Sequence, residues 1–315
     1  MRYKKVPKTD MEVSAVSLGT WAIGGRDWGK ADDKESISTI QAAADFGINF
    51  IDTAPIYGRG HSEEIIGKAI KGIRSKFYIA TKCGIQPEGK GFTFNLKPEA
   101  IAKELEDSLK RLGIETIDIY QCHYPDPHTP IEDTLGQLLK FKKQGKVRYI
   151  GVSNFDLSLL EKASSITAIT TLQVQYSLLD RSIEKGVLSF CSENDIGVIA
   201  YGPLGGGILT GKYINPPRFP KGDARSFFYP YYKEPYWSKI QVLIGEIKNI
   251  ARKRNKNPAE VALNWVNQQE GIAVTIAGCR NYEQLSANAS AGSWELSLDE
   301  LERLRKISDG LELER

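Results

Sequence analysis

Three residues with complementary chemistry close three consecutive β-branched runs: Asp52 ends the run 49–52, Lys82 the run 78–82 and His123 the run 117–123. A tyrosine, Tyr57, follows Asp52 in the loop Asp52-Thr53-Ala54-Pro55-Ile56-Tyr57-Gly58. Asp52 facing Lys82 in a low-dielectric interior would hold the ammonium charged and in place, and that charge would favour the phenolate of a nearby tyrosine. A free phenol titrates near ~10, so tuning it toward ~7 takes about 4 kcal/mol, which one close cation in a dry site can supply. Tyr57 would then be a proton donor matched to neutral pH, worth roughly 10²–10⁴ in rate. His123 could donate a hydrogen bond to the same carbonyl oxygen and stabilise its developing negative charge.

The elements that must position these groups follow one alternation, from about residue 16 to about residue 290. A short β-branched run, a polar loop and an amphipathic helical stretch recur, which is the pattern of βα units and a parallel sheet. Strands are predicted over 16–20, 49–52, 78–82, 117–123, 147–152, 171–175, 197–200 and 273–276. Helices are predicted over 35–46, 62–70, 98–112, 131–143 and 282–290, with Gly47, Gly113 and Gly145 just past three of them. The expected fold is α/β, a (β/α)8 TIM barrel. Residues 2–14 read as an N-terminal β-hairpin plugging one end, and 298–307 as an extra C-terminal helix on the outside. The stretch 202–237 is a loop of unusual length. No linker divides the chain, so one domain over 1–315 is expected.

In such a barrel the loops at the carboxyl ends of the strands build the active site. Those ends carry Thr20-Trp21, Asp52, Lys82, His123, Ser153-Asn154, Gln175, Tyr201 and Arg280, nearly all polar. Successive strand residues face opposite sides, so Cys83 and Cys122 should point outward to the helices if Lys82 and His123 point in.

Composition removes other classes. With 315 residues, 41% hydrophobic and 26% charged, a sizeable core can be buried, and a net charge of +3 implies no nucleic-acid partner. No apolar run approaches the ~18 residues of a membrane span, and residues 1–5 lead into a polar turn, so a cytoplasmic protein is expected. The four cysteines form no CxxC pair, the three histidines stand at no metal-ligand spacing, and there is no GxGxxG of a Rossmann domain. A closed barrel exposes no strand edge that demands assembly, so a monomer suffices.

Several segments together resemble the aldo-keto reductase family, in order and nearly end to end: Asp52-Thr53-Ala54-x-x-Tyr57-Gly58, Thr81-Lys82, Gln121-x-His123, Gly151-Val152-Ser153-Asn154-Phe155, Gln173-x-Gln175-Tyr176, Tyr201-Gly202-Pro203-Leu204-Gly205 and Gly278-Cys279-Arg280. The resemblance implies a catalytic tetrad of Asp52, Tyr57, Lys82 and His123, with Tyr57 as general acid in the NADPH-dependent reduction of a small-molecule aldehyde or ketone. It implies a nicotinamide cofactor, NADPH/NADP+, extended across the barrel mouth without a Rossmann fold. Ser153, Asn154 and Gln175 would hold the carboxamide and Tyr201 would stack on the nicotinamide. The backbone from Pro203 through Leu204 and Gly205 to Gly207, beside Gly202 and with Lys212, would wrap the pyrophosphate. Arg280, after Gly278, would pair with the 2'-phosphate, and Gln284 and Asn288 would lie near the adenine. An arginine fork suits a phosphate monoester better than a hydroxyl, which argues for NADPH over NADH.

Each assignment has a structural alternative: a buried ion pair, a core histidine, a tyrosine that only lines or packs, a helix cap at Ser153-Asn154, a flexible triple glycine, a solvated arginine. For substrate, the wall is expected to combine Trp21, Ile23, Tyr57, Phe92, His123 and Tyr124 with the aromatic loop Phe227, Phe228, Tyr229, Tyr231, Tyr232, Tyr236 and Trp237, folded over cofactor and substrate. A cofactor-binding regulatory subunit with residual reductase activity, as the potassium-channel β-subunits of that family are, is the alternative function. A barrel lyase or hydrolase is the other.

Overall fold

The structure is a computed structural model and describes residues 1–26, 28–89 and 91–313. The chain opens with an antiparallel hairpin of β1 (Tyr3–Lys5) and β2 (Glu12–Ser14). Next come β3 (Val16–Gly19), β4 (Phe50–Asp52) and β5 (Tyr78–Cys83), then a second hairpin of β6 (Ile85–Glu88) and β7 (Gly91–Phe94). The series resumes with β8 (Ile117–Cys122), β9 (Val147–Ser153), β10 (Thr171–Gln175), β11 (Gly197–Tyr201) and β12 (Ile272–Gly278). Apart from the two hairpins, the strands are parallel and close into a barrel. Between and around them lie α1 (Asp33–Asp45), α2 (His61–Ile70), α3 (Pro98–Leu112), α4 (Ile131–Lys143), α5 (Leu157–Ile166), α6 (Val187–Glu193), α7 (Tyr236–Arg254), α8 (Pro258–Asn267), α9 (Tyr282–Ser290) and α10 (Leu298–Asp309).

The local signals explain the boundaries. α3 begins with Pro98, which needs no hydrogen-bonded N–H in a first turn, and ends at Gly113 in the left-handed region. α10 starts with a capping box, in which Ser297 accepts from the Glu300 N–H and Glu300 reaches back to the Ser297 N–H.

Strand alternation sorts the side chains into two cores. The outer one, between strands and helices, takes Leu18, Ile51, Ile79, Cys83, Tyr120, Cys122, Ile150, Val152, Leu172 and Val198. The inner one takes Phe50, Ala80, Ile119, Ile199, Val274 and Ile276 together with Val6, Met11 and Val13, so the N-terminal hairpin does plug the barrel. All four cysteines are free and buried, and Cys83 and Cys122 point outward as expected. No helix among the described residues is long and apolar enough to cross a membrane.

One expectation needs correction, and one element adds to those read from the sequence. The long loop ends at Pro235, because Tyr236 and Trp237 begin α7, and it contains short 3-10 turns at Ala224–Ser226 and Pro230–Tyr232. The β6–β7 hairpin was not anticipated, since Gln86, Pro87 and Glu88 break any apolar alternation.

Candidate active site

Asp52 ends β4 and Lys82 stands one residue before the end of the adjacent β5; both are buried on the inner face. Lys82 Nζ donates to Asp52 Oδ1 at 2.9 Å, to Asp52 Oδ2 at 2.8 Å and to the Thr53 carbonyl at 2.8 Å, which uses all three ammonium hydrogens. Asp52 Oδ1 also accepts from Gln173 Nε2 at 2.8 Å. Behind the pair, Thr81 donates to the buried Glu63, whose other oxygen accepts from Arg111 Nε at 2.7 Å. Thr20, Thr53 and Ser62 form a hydroxyl cluster that anchors the end of β4, with Thr20 Oγ1 donating to the Asp52 carbonyl at 2.8 Å.

Tyr57 sits on a 3-10 turn over Tyr57–Gly60, in which Gly58 adopts φ 63°. That turn presses against the turn Trp21–Gly24: a Cβ on Gly24 would stand 2.7 Å from the Gly58 nitrogen, so only two glycines allow the contact. The close approach stacks Trp21 on Tyr57, with ring centroids 5.8 Å apart and planes within 19°. Lys82 Nζ lies 5.2 Å from the Tyr57 ring centroid, and the His123 ring stands edge-on to Tyr57 at 5.9 Å. Tyr124 lies beside His123 at 5.8 Å. The four residues expected to form a tetrad are therefore brought together.

Their electrostatics differ from the sequence expectation in one respect. Burial first, and then the Asp52 charge, push the Tyr57 phenol well above its usual range instead of toward neutrality. The physical reason is that Asp52 grips the ammonium with both oxygens, so the cation and its partner act on Tyr57 nearly as a dipole. Burial also lowers Lys82, opposed by Asp52, and drives His123 well below the usual histidine range, aided by the Lys82 charge. At neutral pH the site holds a protonated phenol and a neutral imidazole.

The residues expected around a cofactor line one side of the same mouth. Tyr201 donates to Asn154 Oδ1 at 2.9 Å, and Asn154 Nδ2 donates to the His123 carbonyl at 3.0 Å and to Ser153 Oγ at 3.1 Å. Gln175 Nε2 is buried and finds no partner among the described residues, leaving a donor free for a ligand amide or carbonyl. Gly202 adopts φ 66°, which suits glycine. Pro203 and Leu204 continue into Gly205–Thr210, but the glycines differ in use. A Cβ at Gly205 would meet Leu179, and one at Gly206 the Tyr229 ring; at Gly207 the nearest atom is Lys212 Nζ at 4.0 Å. Of these three, only Gly207 has open space on its Cβ side, while its N–H donates to the Leu204 carbonyl at 2.9 Å. Arg280 donates to the Trp28 carbonyl through Nη2, and its N–H donates to Gln284 Oε1 at 3.0 Å. Asn288 Nδ2 donates to the Gly278 carbonyl at 3.2 Å.

The substrate wall is smaller than expected. Ile23 is 1% exposed in the helix-facing core, and Phe92, 58% exposed, sets its ring beside Phe94 at 5.6 Å; Phe94 reaches Tyr124, at 5.5 Å. Of the long loop, Phe228 meets Trp21 edge-on at 5.6 Å, whereas Tyr231 and Tyr232 bond the Leu179 and Gly206 carbonyls and fasten the loop to the barrel. Phe227 is exposed. Sequence reasoning left Gln173 without a role, though its alternation with Gln175 marks it as inward. It also missed Arg225, which is clamped by Asp223 and stacked between Phe219 at 4.3 Å and Trp28 at 5.5 Å. No signal in the sequence pairs those three.

The sequence profile of the Aldo/keto reductase family matches residues 15–309. The chain is similar to aldo-keto reductase YhdN of Bacillus subtilis (strain 168), 37% identical over 310 residues that cover 98% of this chain and 93% of the relative. It is similar to the NADH-specific methylglyoxal reductase of Escherichia coli (strain K12), 37% identical over 327 residues, 98% of this chain and 99% of that one. Among solved structures, a glycerol dehydrogenase from Gluconobacter oxydans superposes with a TM-score of 0.89 at 39% identity, covering 97% of this chain and 94% of its own. Barrel, motif order and full-length similarity agree, and the chain belongs to the aldo/keto reductase family.

Proposed function

We propose that the protein reduces aldehydes or ketones to alcohols with NADPH, using Tyr57 as general acid. The observation that carries this is the buried Lys82 ammonium, tied to Asp52 and 5.2 Å from the ring of Tyr57, with His123 across the same ring. Ser153, Asn154, Gln175 and Tyr201 would hold a reduced nicotinamide cofactor, which would supply hydride for the carbonyl carbon. Tyr57 holds the proton and passes it to the carbonyl oxygen as negative charge develops there. A raised phenol pKa keeps that proton in place until an alkoxide-like base forms. Lys82 stabilises the phenolate left behind, and the neutral His123 donates its ring N–H to the same oxygen.

Preference for the phosphorylated nucleotide rests on Arg280, whose charge is disfavoured first by burial and then by the neighbouring Arg225 cation. A phosphate dianion relieves both terms. The relative described as NADH-specific makes the preference a matter for measurement. The wall of Trp21, Tyr57, His123, Tyr124 and Phe228 suits carbonyl compounds bearing an apolar or aromatic group.

The test compares wild type with Tyr57→Phe, following loss of the reduced-nicotinamide absorbance band with a generic aldehyde and with either nucleotide. Wild-type turnover that falls 10²-fold or more in the variant is expected. Equal rates in the two proteins, or no turnover with either nucleotide, overturn the proposal.

A further inference from the structure

The first turn of α2 is fastened to three strand ends at once. Ser62 Oγ stands 3.1 Å from the Thr20 carbonyl, just past β3, and 3.1 Å from Thr53 Oγ1, just past Asp52. Glu63, the next residue, takes the third: its Oε1 accepts from Thr81 Oγ1 at 2.7 Å, and Thr81 immediately precedes Lys82 on β5. Ser62, Glu63 and Thr81 are fully buried. The turn that carries Tyr57, Tyr57–Gly60, runs into α2 without a break. Glu63 Oε2 accepts from Arg111 Nε at 2.7 Å, and the Arg111 side chain passes over Gly60, where a Cβ would stand 2.7 Å from its Cδ and 2.9 Å from its Nε. Gly60 has φ 95°, so glycine is required there on both counts.

One carboxylate therefore holds β5 with one oxygen and, with the other, the arginine that covers the end of the tyrosine turn. A buried ion pair is a poor way to gain stability, because desolvation consumes most of the attraction. Apolar side chains already pack the outward side of α2, among them Ile65, Ile66 and Ala69. What they do not supply is a directional bond that fixes how far α2 sits along β5. Strand parity completes the picture: Lys82 points into the barrel, so Thr81 points out toward the helices, where Glu63 meets it. The clamp thus acts through the strand backbone, without touching the reacting groups.

We propose that Glu63 is a positioning residue for the proton donor: bonded to Thr81 and Arg111, it sets the distance between the Tyr57 turn and Lys82. Both reacting groups sit next to the clamp in the chain, Tyr57 on the turn that leads into α2 and Lys82 one residue beyond Thr81. A displacement of about 1 Å at such a group costs on the order of 10²-fold in rate, so a tether of this kind is read in kcat and not in affinity. The effect on rate rests on the proposed reductase chemistry; the geometric clamp does not.

Thr81→Val tests the clamp with both charges retained, since it is nearly isosteric and removes only the hydroxyl. With rates counted per NADPH-binding site, kcat is expected to fall roughly 10- to 100-fold, while KM for the carbonyl compound and Kd for NADPH stay within about threefold. Thr81→Ser, which restores the hydroxyl, should return kcat to within about threefold of wild type. Wild-type kcat in Thr81→Val, or a loss that Thr81→Ser does not recover, overturns the proposal. Should Thr81→Val fail to fold, the double variant Glu63→Met with Arg111→Met, which leaves no buried charge, is measured in its place with the same expectation. Crystal structures give an arm independent of activity: the 5.2 Å between Lys82 Nζ and the Tyr57 ring centroid should change by at least about 0.5 Å in Thr81→Val, and an unchanged separation overturns the clamp. A wild type that reduces no carbonyl compound refutes the proposed function instead, and the separation alone then decides the clamp.

Discussion

The ion pair at the base of the site makes a prediction that can be worked through. Lys82→Met leaves the Asp52 carboxylate buried with the Gln173 side-chain N–H as its remaining side-chain partner among the described residues. Asp52→Asn leaves the Lys82 ammonium facing one amide oxygen and the Thr53 carbonyl. Breaking a buried pair from one side costs about 3–5 kcal/mol, whereas replacing both members by neutral groups of similar volume is close to neutral. The double variant Asp52→Asn with Lys82→Met should therefore be more stable than either single one, recovering to within about 2 kcal/mol of wild type.

The pH dependence separates the two losses. In Lys82→Met the deficit is largest at alkaline pH and shrinks as pH falls, because protonating the orphaned carboxylate removes the buried charge. In Asp52→Asn the folded-state lysine is lowered further below its unfolded value. The unfolded state then binds more protons between those two values, and stability rises with pH through that window. Urea unfolding followed by the fluorescence of the five tryptophans measures all four proteins at a series of pH values. Single-variant losses that simply add in the double variant would falsify the claim that the two charges are a coupled buried pair. All three variants should lose most activity, so recovered stability without recovered turnover also separates folding from catalysis.

Three further outcomes follow from particular side chains. His123 is lowered well below the histidine norm by burial and by Lys82, so its ring carbons should show no titration by NMR between about pH 6 and 8; a midpoint near 6.5 would contradict the neutral imidazole. The folded pKa lies below the unfolded one, so its effect on stability is a loss as pH drops through and below about 6.5. Glu104, which accepts the Gly84 N–H at 2.8 Å, is raised to about 7 chiefly by burial. The folded state holds its proton to higher pH, so stability is lost as pH rises from about 4.5 to 7; Glu104→Gln should gain roughly 1–3 kcal/mol at pH 8 and little at pH 5, read by urea unfolding at the two pH values. Arg280→Leu should raise KM for NADPH by roughly 10- to 100-fold, the loss of a charge-assisted contact, and leave KM for NADH within about threefold; equal effects on both would remove the 2'-phosphate assignment.

What could be read without coordinates is the part governed by local periodicity. The helices over 98–112, 131–143 and 282–290 have the bounds their apolar spacing and end signals indicate, because those signals lie within a few residues of one another. The barrel was legible as eight βα repeats, and strand parity placed Lys82 and His123 inward and the neighbouring cysteines outward.

The sequence by itself determined the order of strands, which residues end them, and hence the set of groups delivered to one face. Tertiary structure alone decided how those groups act on one another. Gln173 finds Asp52 across 121 residues, Arg225 reaches Trp28 from a separate loop while Phe219 of its own loop covers it too, and Gly24 meets Gly58 to lay Trp21 on Tyr57. The direction of the Tyr57 shift belongs to the same class. Electrostatic energy depends on distance and on burial together, and neither quantity exists until a chain has closed around its charges.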